Sequence, residues 1–150
     1  MVLAAAGGVN HDELVKLAEQ HFGGLSSDNN TEVQALQPCR FTGSEIRVRD
    51  DDYRLAHVAI SVEGTSWSDA DTIPLMVAST LIGSWDRSMA SGGNLGSRLA
   101  QASGKYNLCH SFQAFNTCYA DTGLWGVYFV TDRMKIDDFM MALQDEWYAL

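Results

Sequence analysis

Along residues 55–63, apolar residues alternate with a second set that includes polar residues. A period of two is typical of a β-strand with one buried and one exposed face, and helices repeat differently. One set of positions holds His57, Ala59, Ser61 and Glu63, and the other holds Val58, Ile60 and Val62. The chain therefore needs a sheet that rests one face on a hydrophobic core.

Further strands and helices are predicted after this strand. Residues 106–115 and 124–131 favour strands joined by a turn at Asp121–Gly123, and residues 45–49 favour an exposed strand. One helix is predicted to begin within residues 68–71, with Pro74 in its first turn, and to end at Gly83. A second, short helix is predicted over residues 97–102. Residues 89–96 favour a flexible loop. A last helix carries an apolar face made by Ile136, Phe139, Met140, Leu143 and Trp147. We expect this face to pack on the sheet, in an incomplete α+β unit.

The first 24 residues predict a separate strand and helix. Residues 2–6 are apolar and favour a buried strand, and Asn10 is placed to cap a helix that ends at Gly23. Residues 25–37 are polar and lack periodicity, which favours a linker between two domains.

Composition excludes some classes of function. The chain has a formal net charge of −9 and scattered basic residues, so a nucleic-acid partner is not expected. Its three cysteines, Cys39, Cys109 and Cys118, form no CxxC pair, which favours free thiols in a reducing compartment. No apolar run approaches the ~18 residues that suggest a membrane helix. The first residues lack a basic leader, and we expect targeting information to lie elsewhere.

No catalytic motif emerges from the residues themselves. The four histidines are His11, His21, His57 and His110, and no HExxH or HxxEH occurs. His57 and His110 lie on separate predicted strands, where a structural role is the more common one. Cys109 and His110 are adjacent, so on a strand they point to opposite faces and do not form a nucleophile–base pair. The glycine-rich residues 92–96 match no phosphate-loop pattern. We therefore predict no catalytic, cofactor-binding or metal-binding residue in this chain.

Several stretches together resemble one family. They resemble the pitrilysin-type metallopeptidases, in the branch that holds the β-type subunits of mitochondrial processing peptidases and the first core subunits of cytochrome bc1 complexes. The stretches are 2–9 (VLAAAGGV), 38–51 (PCRFTGSEIRVRDD), 55–60 (LAHVAI), 72–78 (TIPLMVA), 107–113 (NLCHSFQ) and 119–126 (YADTGLWG). The resemblance implies an α+β fold with a mostly antiparallel sheet packed by helices, in two layers. It also implies that residues 1–24 are the C-terminal strand and helix of a first peptidase-like domain and that residues 25–37 are an inter-domain linker. Residues 38–150 then belong to a second peptidase-like domain that is incomplete at its C-terminus.

The resemblance implies zinc in the parent protein, held by an HxxEH helix and a distal Glu upstream of Met1. It implies as partners the α subunit of a processing peptidase or the second core subunit of a bc1 complex, and presequence peptides as ligands. The implied location is the mitochondrial matrix or the matrix face of the inner membrane, without membrane insertion.

One family motif is matched only in part. Many relatives carry SRL in the second domain, followed by an Arg and a Tyr that reach the substrate, and Ser97–Arg98–Leu99 matches the first element. The Arg position falls near Ser103 or Gly104 and the Tyr position near His110, so neither matches. The open interpretations are part of a presequence-cleaving zinc endopeptidase, part of a structural core subunit, or a single protein with both roles. An unrelated soluble binding domain is the remote third alternative.

Overall fold

The computed structural model describes residues 2–25, 37–89 and 96–150. Its contacts divide the chain into two compact units, Met1–Gln37 and Pro38–Leu150. The predicted linker lies almost wholly outside the described residues, and so do residues 90–95 of the predicted loop. The division into two peptidase-like domains stays a prediction.

The first unit contains one helix, α1 (His11–Phe22). The Asn10 side chain accepts a hydrogen bond from the backbone N–H of Asp12 at 3.0 Å, so the predicted cap is confirmed. The predicted strand at residues 2–6 is wrong, because these residues are exposed and have no regular structure. A strand needs a hydrogen-bonded neighbour, and no described residue of this unit pairs with them.

The second unit is built on a four-stranded antiparallel sheet in the order β1-β4-β3-β2. Its strands are β1 (Leu55–Gly64), β2 (Ser84–Asp86), β3 (Ser111–Cys118) and β4 (Gly123–Asp132), and its helices are α2 (Thr72–Ile82), α3 (Arg98–Tyr106) and α4 (Ile136–Tyr148). This arrangement confirms the α+β class with an antiparallel sheet.

Helices cover one face of the sheet, and the hydrophobic core lies between the helices and that face. Phe139 of α4 is fully buried, with its ring centroid 4.3 Å from that of Phe129 on β4 and 5.8 Å from that of Phe112 on β3. Trp147 packs on Trp125 at 5.4 Å. The apolar face predicted for the last helix therefore packs on the sheet as expected, and burial of such side chains drives the docking.

Glycine is required where β1 approaches β4. Gly126 pairs with Ser61, and a Cβ at Gly126 would collide with the carbonyl oxygen of Ile60 and lie 2.9 Å from the Ser61 Cβ. Any larger residue would force the two strands apart.

The structure differs from the prediction in three parts of the second unit. Residues 45–49 form no strand: Ile46 and Val48 are each 89% exposed, and Arg47 and Arg49 pair with acidic neighbours along the chain. Helix α3 runs on to Tyr106, where the prediction had a strand beginning, and β3 starts only at Ser111. The short strand β2 was not predicted, because three residues carry too little pattern.

Candidate functional site

Polar side chains from five places along the chain meet at one end of the sheet. Arg87 follows β2, Asn107 caps α3, His110 precedes β3, Asp132 ends β4 and Lys135 precedes α4. We call these five residues the sheet-end cluster. The backbone N–H of Arg87 donates to the His110 carbonyl at 2.9 Å, and the N–H of His110 donates to the Val130 carbonyl at 2.7 Å. The strand register thus fixes the position of His110.

The His110 ring lies between a cation and an anion. Its Nδ1 is 3.3 Å from Arg87 Nη1, and its Nε2 is 3.4 Å from Asp132 Oδ1. A guanidinium group only donates hydrogen bonds, so Nδ1 is the acceptor and Nε2 carries the proton that faces Asp132. Both ring nitrogens are therefore engaged within the protein.

Asn107 completes the sheet-end cluster. Its backbone is left-handed, with φ 53° and ψ 47°, as is common at helix ends for asparagine. Its side-chain oxygen accepts from Arg87 Nη2, and its carbonyl accepts from Lys135 Nζ at 2.6 Å. The arrangement ties the end of α3 to the start of α4. Such contacts can brace the two helix ends against each other.

His57 lies on the other side of β4 and has a different partner. His57 and Ser111, the residue after His110, both pair with Val130, one from each side. The Nδ1 of His57 is 2.6 Å from the hydroxyl oxygen of Tyr128, on the sheet face that the helices leave uncovered. The two strand histidines therefore do not act on a common group.

Cys109 is buried beside His110 and is chemically protected. Its exposed fraction is 2%, and burial raises the pKa of its thiol to about 11, against the opposing effects of the Ser103 hydroxyl and the Arg87 charge. The thiol stays protonated at neutral pH, and a protonated, buried thiol is a poor nucleophile. The three cysteines are free: Cys39 is exposed and Cys118 half-buried.

The SRL residues serve the local fold. The Ser97 hydroxyl accepts from the Ala100 N–H at 3.2 Å and so caps α3, while Leu99 is 1% exposed in the core. Arg98 Nε lies 3.6 Å from Glu146 of α4. Ser103, one candidate for the family's Arg position, is fully buried, so its side chain does not reach an external molecule.

The described part of the chain does not fit a zinc ion. Across residues 2–25, 37–89 and 96–150, no group of three or more His, Cys, Asp or Glu side chains is placed to hold a metal. The glycine-rich stretch at residues 92–96 lies almost wholly outside these ranges. The absence of site residues from the chain as a whole stays a prediction.

Within the same ranges, no helix has the length and apolar character needed to cross a membrane.

Sequence reasoning singled out His110 and missed its partners. Arg87 and Asp132 come from elements 22 or more positions away along the chain, and only the strand register brings them to the imidazole. A local sequence pattern carries no signal for such a cluster.

The fold fits a domain of the peptidase M16 family. The chain belongs to this family, because the family described as the Peptidase M16 inactive domain matches residues 1–150. The resemblance inferred from the sequence is thereby confirmed.

Individual relatives match the whole chain. Mitochondrial-processing peptidase subunit beta is 58% identical over 150 residues in both Bos taurus and Homo sapiens, covering 100% of this chain and 31% of each relative. Cytochrome b-c1 complex subunit 1 of Bos taurus is 52% identical over 151 residues, covering 32% of that protein. The chain thus spans about a third of the length of these relatives.

A solved structure has the same fold. Complex III2 from Candida albicans with Inz-5 bound contains a chain that superposes with a TM-score of 0.77 at 26% identity. The match covers 93% of this chain and 33% of the other.

Proposed function

We propose that the protein carrying this chain is the β-type subunit of a mitochondrial processing peptidase, a zinc metalloendopeptidase that removes presequences from imported proteins. The observation that carries the proposal is the 58% identity to mitochondrial-processing peptidase subunit beta over the entire chain. The identity to cytochrome b-c1 complex subunit 1 is lower, at 52%.

Within this protein, residues 38–150 serve as a non-catalytic domain. The side chains that the family's pattern would direct to a substrate are used internally, because His110 is held by Arg87 and Asp132 and Ser103 is buried. The zinc ligands and the catalytic base then belong to an HxxEH helix outside residues 1–150. Zinc held there supplies Lewis-acid chemistry for hydrolysis.

The proposed partner is an α-type subunit, and the proposed location is the mitochondrial matrix. A formal net charge of −9 favours encounter with basic segments, and presequences rich in arginine are of that kind. The charge supports faster association with such a peptide, without defining a binding site for it.

The second candidate function is that of a structural core subunit of the bc1 complex, facing the matrix. It is favoured by the 52% identity to cytochrome b-c1 complex subunit 1 and by the fold shared with a chain of complex III2. The stretch 115–121 (FNTCYAD) also resembles that branch. A single protein with both roles is compatible with these observations.

The test is cleavage of an arginine-containing presequence peptide by the full-length protein purified with its α-type partner. We expect zinc-dependent cleavage that is abolished when the Glu of the HxxEH motif is replaced by Gln. A zinc-loaded pair that leaves the peptide intact would refute the peptidase proposal, and co-purification with bc1 subunits would then favour the second candidate.

A variant in this chain tests the non-catalytic role. His110→Gln keeps a hydrogen-bonding side chain at this position, and we expect kcat for the same peptide to stay within about twofold of the unmodified protein, since a residue that only braces the fold adds no transition-state contact. A loss of kcat of about 100-fold, the order expected for a general acid or base, would place His110 in the catalytic machinery.

A further inference from the structure

Residues 38–54 lead into β1 without forming a helix or a strand, and we call this segment the strap. All of its residues are exposed. The hydrogen bonds made by its own side chains join residues only two positions apart, namely Ser44 to Thr42, Arg47 to Glu45, Arg49 to Asp51 and the Asp52 N–H to Asp50. Such local contacts shape the strap, but they do not attach it to the sheet.

One contact does attach the strap. The backbone N–H of Cys39 donates to Asp121 Oδ2 at 2.8 Å, across 82 positions of the chain. Among the residues that the structure describes, it is the only hydrogen bond that joins the strap to the rest of the second unit. Its acceptor is a carboxylate, and hydrogen bonds to an ionised acceptor are shorter and stronger than neutral ones.

Asp121 lies in a turn that is itself held in place. Between β3 and β4, the Tyr119 N–H donates to the Thr122 carbonyl at 2.8 Å, and the Tyr119 carbonyl accepts from the Trp67 N–H at 3.2 Å. The Thr122 hydroxyl donates to Glu63 of β1 at 3.3 Å. The turn is thus tied to the end of β1 and to the loop that follows it, so it presents the Asp121 carboxylate at a fixed position.

The length of the strap does not force Cys39 to this turn. The turn adjoins the Gly64–Gly123 pair at one end of β1, whereas the strap joins β1 at the opposite end, at Leu55. The ten residues of β1 span about 33 Å at roughly 3.3 Å each. Residues 40–54 reach about 50 Å when fully extended. Since the strap is long enough to leave the turn, the position of Cys39 depends on the bond to Asp121.

We propose that Asp121 is a clasp that fixes the start of the second unit at the β3–β4 turn. With the clasp closed, the connection between α1 and the first attached residue of the second unit is residues 23–38. With the clasp open, the strap is attached only through β1, and the connection doubles to residues 23–54. Asp121 is therefore a positioning residue that sets the length of chain between the two units, whether the protein is a peptidase subunit or a bc1 subunit.

The first test is trypsin cleavage after Arg40 in the full-length protein, because Arg40 is the residue next to Cys39. We expect Asp121→Ala to raise the rate of this cleavage by at least about tenfold, since a held segment is cut only after local opening. Asp121→Asn keeps a side-chain oxygen as acceptor and is expected to raise the rate less. An unchanged rate in Asp121→Ala, or equal rates in the two variants, would overturn the proposal.

The matched control is Glu63→Ala. It removes a carboxylate that contacts the same turn through Thr122, but it leaves the acceptor for Cys39 in place. We expect cleavage after Arg40 to stay within about twofold of the unmodified protein. If Glu63→Ala accelerated the cleavage as much as Asp121→Ala, the effect would belong to the turn as a whole and the clasp would be refuted.

The second test is hydrogen exchange at the Cys39 amide, followed in overlapping peptic peptides that hold residue 39 at an internal position. Asp121→Ala is expected to speed this exchange by at least about fivefold and to leave exchange within β1 unchanged, because only the local bond is lost. Unchanged exchange at Cys39 would contradict the clasp. Faster exchange of equal size throughout β1 would also overturn it, because the substitution would then destabilise the whole sheet.

Discussion

Replacing Phe139 by Ala is expected to remove the main attachment of α4 to the sheet. The ring is fully buried and lies 4.3 Å from the ring of Phe129 and 5.8 Å from that of Phe112, measured between centroids. Truncation of a buried Phe to Ala lowers the free energy of unfolding by about 3–5 kcal/mol, from lost transfer energy and the cavity that is left. The total free energy of unfolding of a domain is only about 5–15 kcal/mol.

A second substitution separates ring geometry from burial. Phe139→Leu keeps an apolar side chain of moderate size but loses the two aromatic contacts. Each such contact adds about 0.5–1.5 kcal/mol beyond burial, so we expect the loss of both in Phe139→Leu to lower the unfolding free energy by roughly 1–3 kcal/mol. The expected order of stability is therefore Phe, then Leu, then Ala at position 139.

The assay is urea denaturation followed by tryptophan fluorescence, since Trp125 and Trp147 report the contact between β4 and α4. Phe139→Ala should lower the midpoint by about 2 M urea, and Met141→Ala, at an exposed position of the same helix, should leave it nearly unchanged. Equal effects of the two alanine substitutions would refute the conclusion that Phe139 anchors the helix.

Three further predictions concern other parts of the chain. The folded thiol of Cys109 keeps its proton up to a pKa of about 11 whereas the unfolded thiol loses it near 9.0, so the unfolding free energy should fall as pH rises between these values, by roughly 2–3 kcal/mol. Urea titrations at several pH values test this, and an unchanged pH slope in Cys109→Ala would contradict it. Gly126→Ala should lower the free energy of unfolding by about 1–3 kcal/mol, because its Cβ meets the backbone of β1, whereas Gly43→Ala, with open space around it, should be nearly neutral in the same assay. Limited proteolysis should first cut between Leu25 and Gln37, as their polar composition predicts, and early cuts within β1 would argue against a linker there.

Strong periodicity made most of the second unit predictable from sequence. The alternation around His57 gave β1, the spacing from Ile136 to Trp147 gave α4, and Gly83 marked the end of α2. These signals are local, and the structure keeps them because each apolar face is buried against a neighbour.

The errors occurred where tertiary contacts override local preference. The sequence predicted a short helix over residues 97–102, but burial of Leu99 and Ser103 holds α3 through Tyr106. The apolar residues 2–6 look like a strand, yet a strand depends on a neighbour that no local pattern reveals.

The sheet-end cluster was unpredictable for the same reason. His110 was visible in the sequence as a candidate, but the environment of its ring depends on Arg87 and Asp132. The register of β2, β3 and β4 brings these two residues to the ring. Only the topology shows that both ring nitrogens of His110 face partners within the protein.

The sheet order also has a consequence for the time course of folding. β1 ends at Gly64, but its only neighbour in the described sheet, β4, begins at Gly123, after α2, α3 and β3. At a synthesis rate of roughly 5–20 residues per second, β1 waits on the order of seconds for its partner. During that interval the β3–β4 hairpin does not yet exist. The backbone of β1 and its one apolar face are then unpaired and available to chaperones or to another copy of the chain. The step that protects it is the arrival of the last strand.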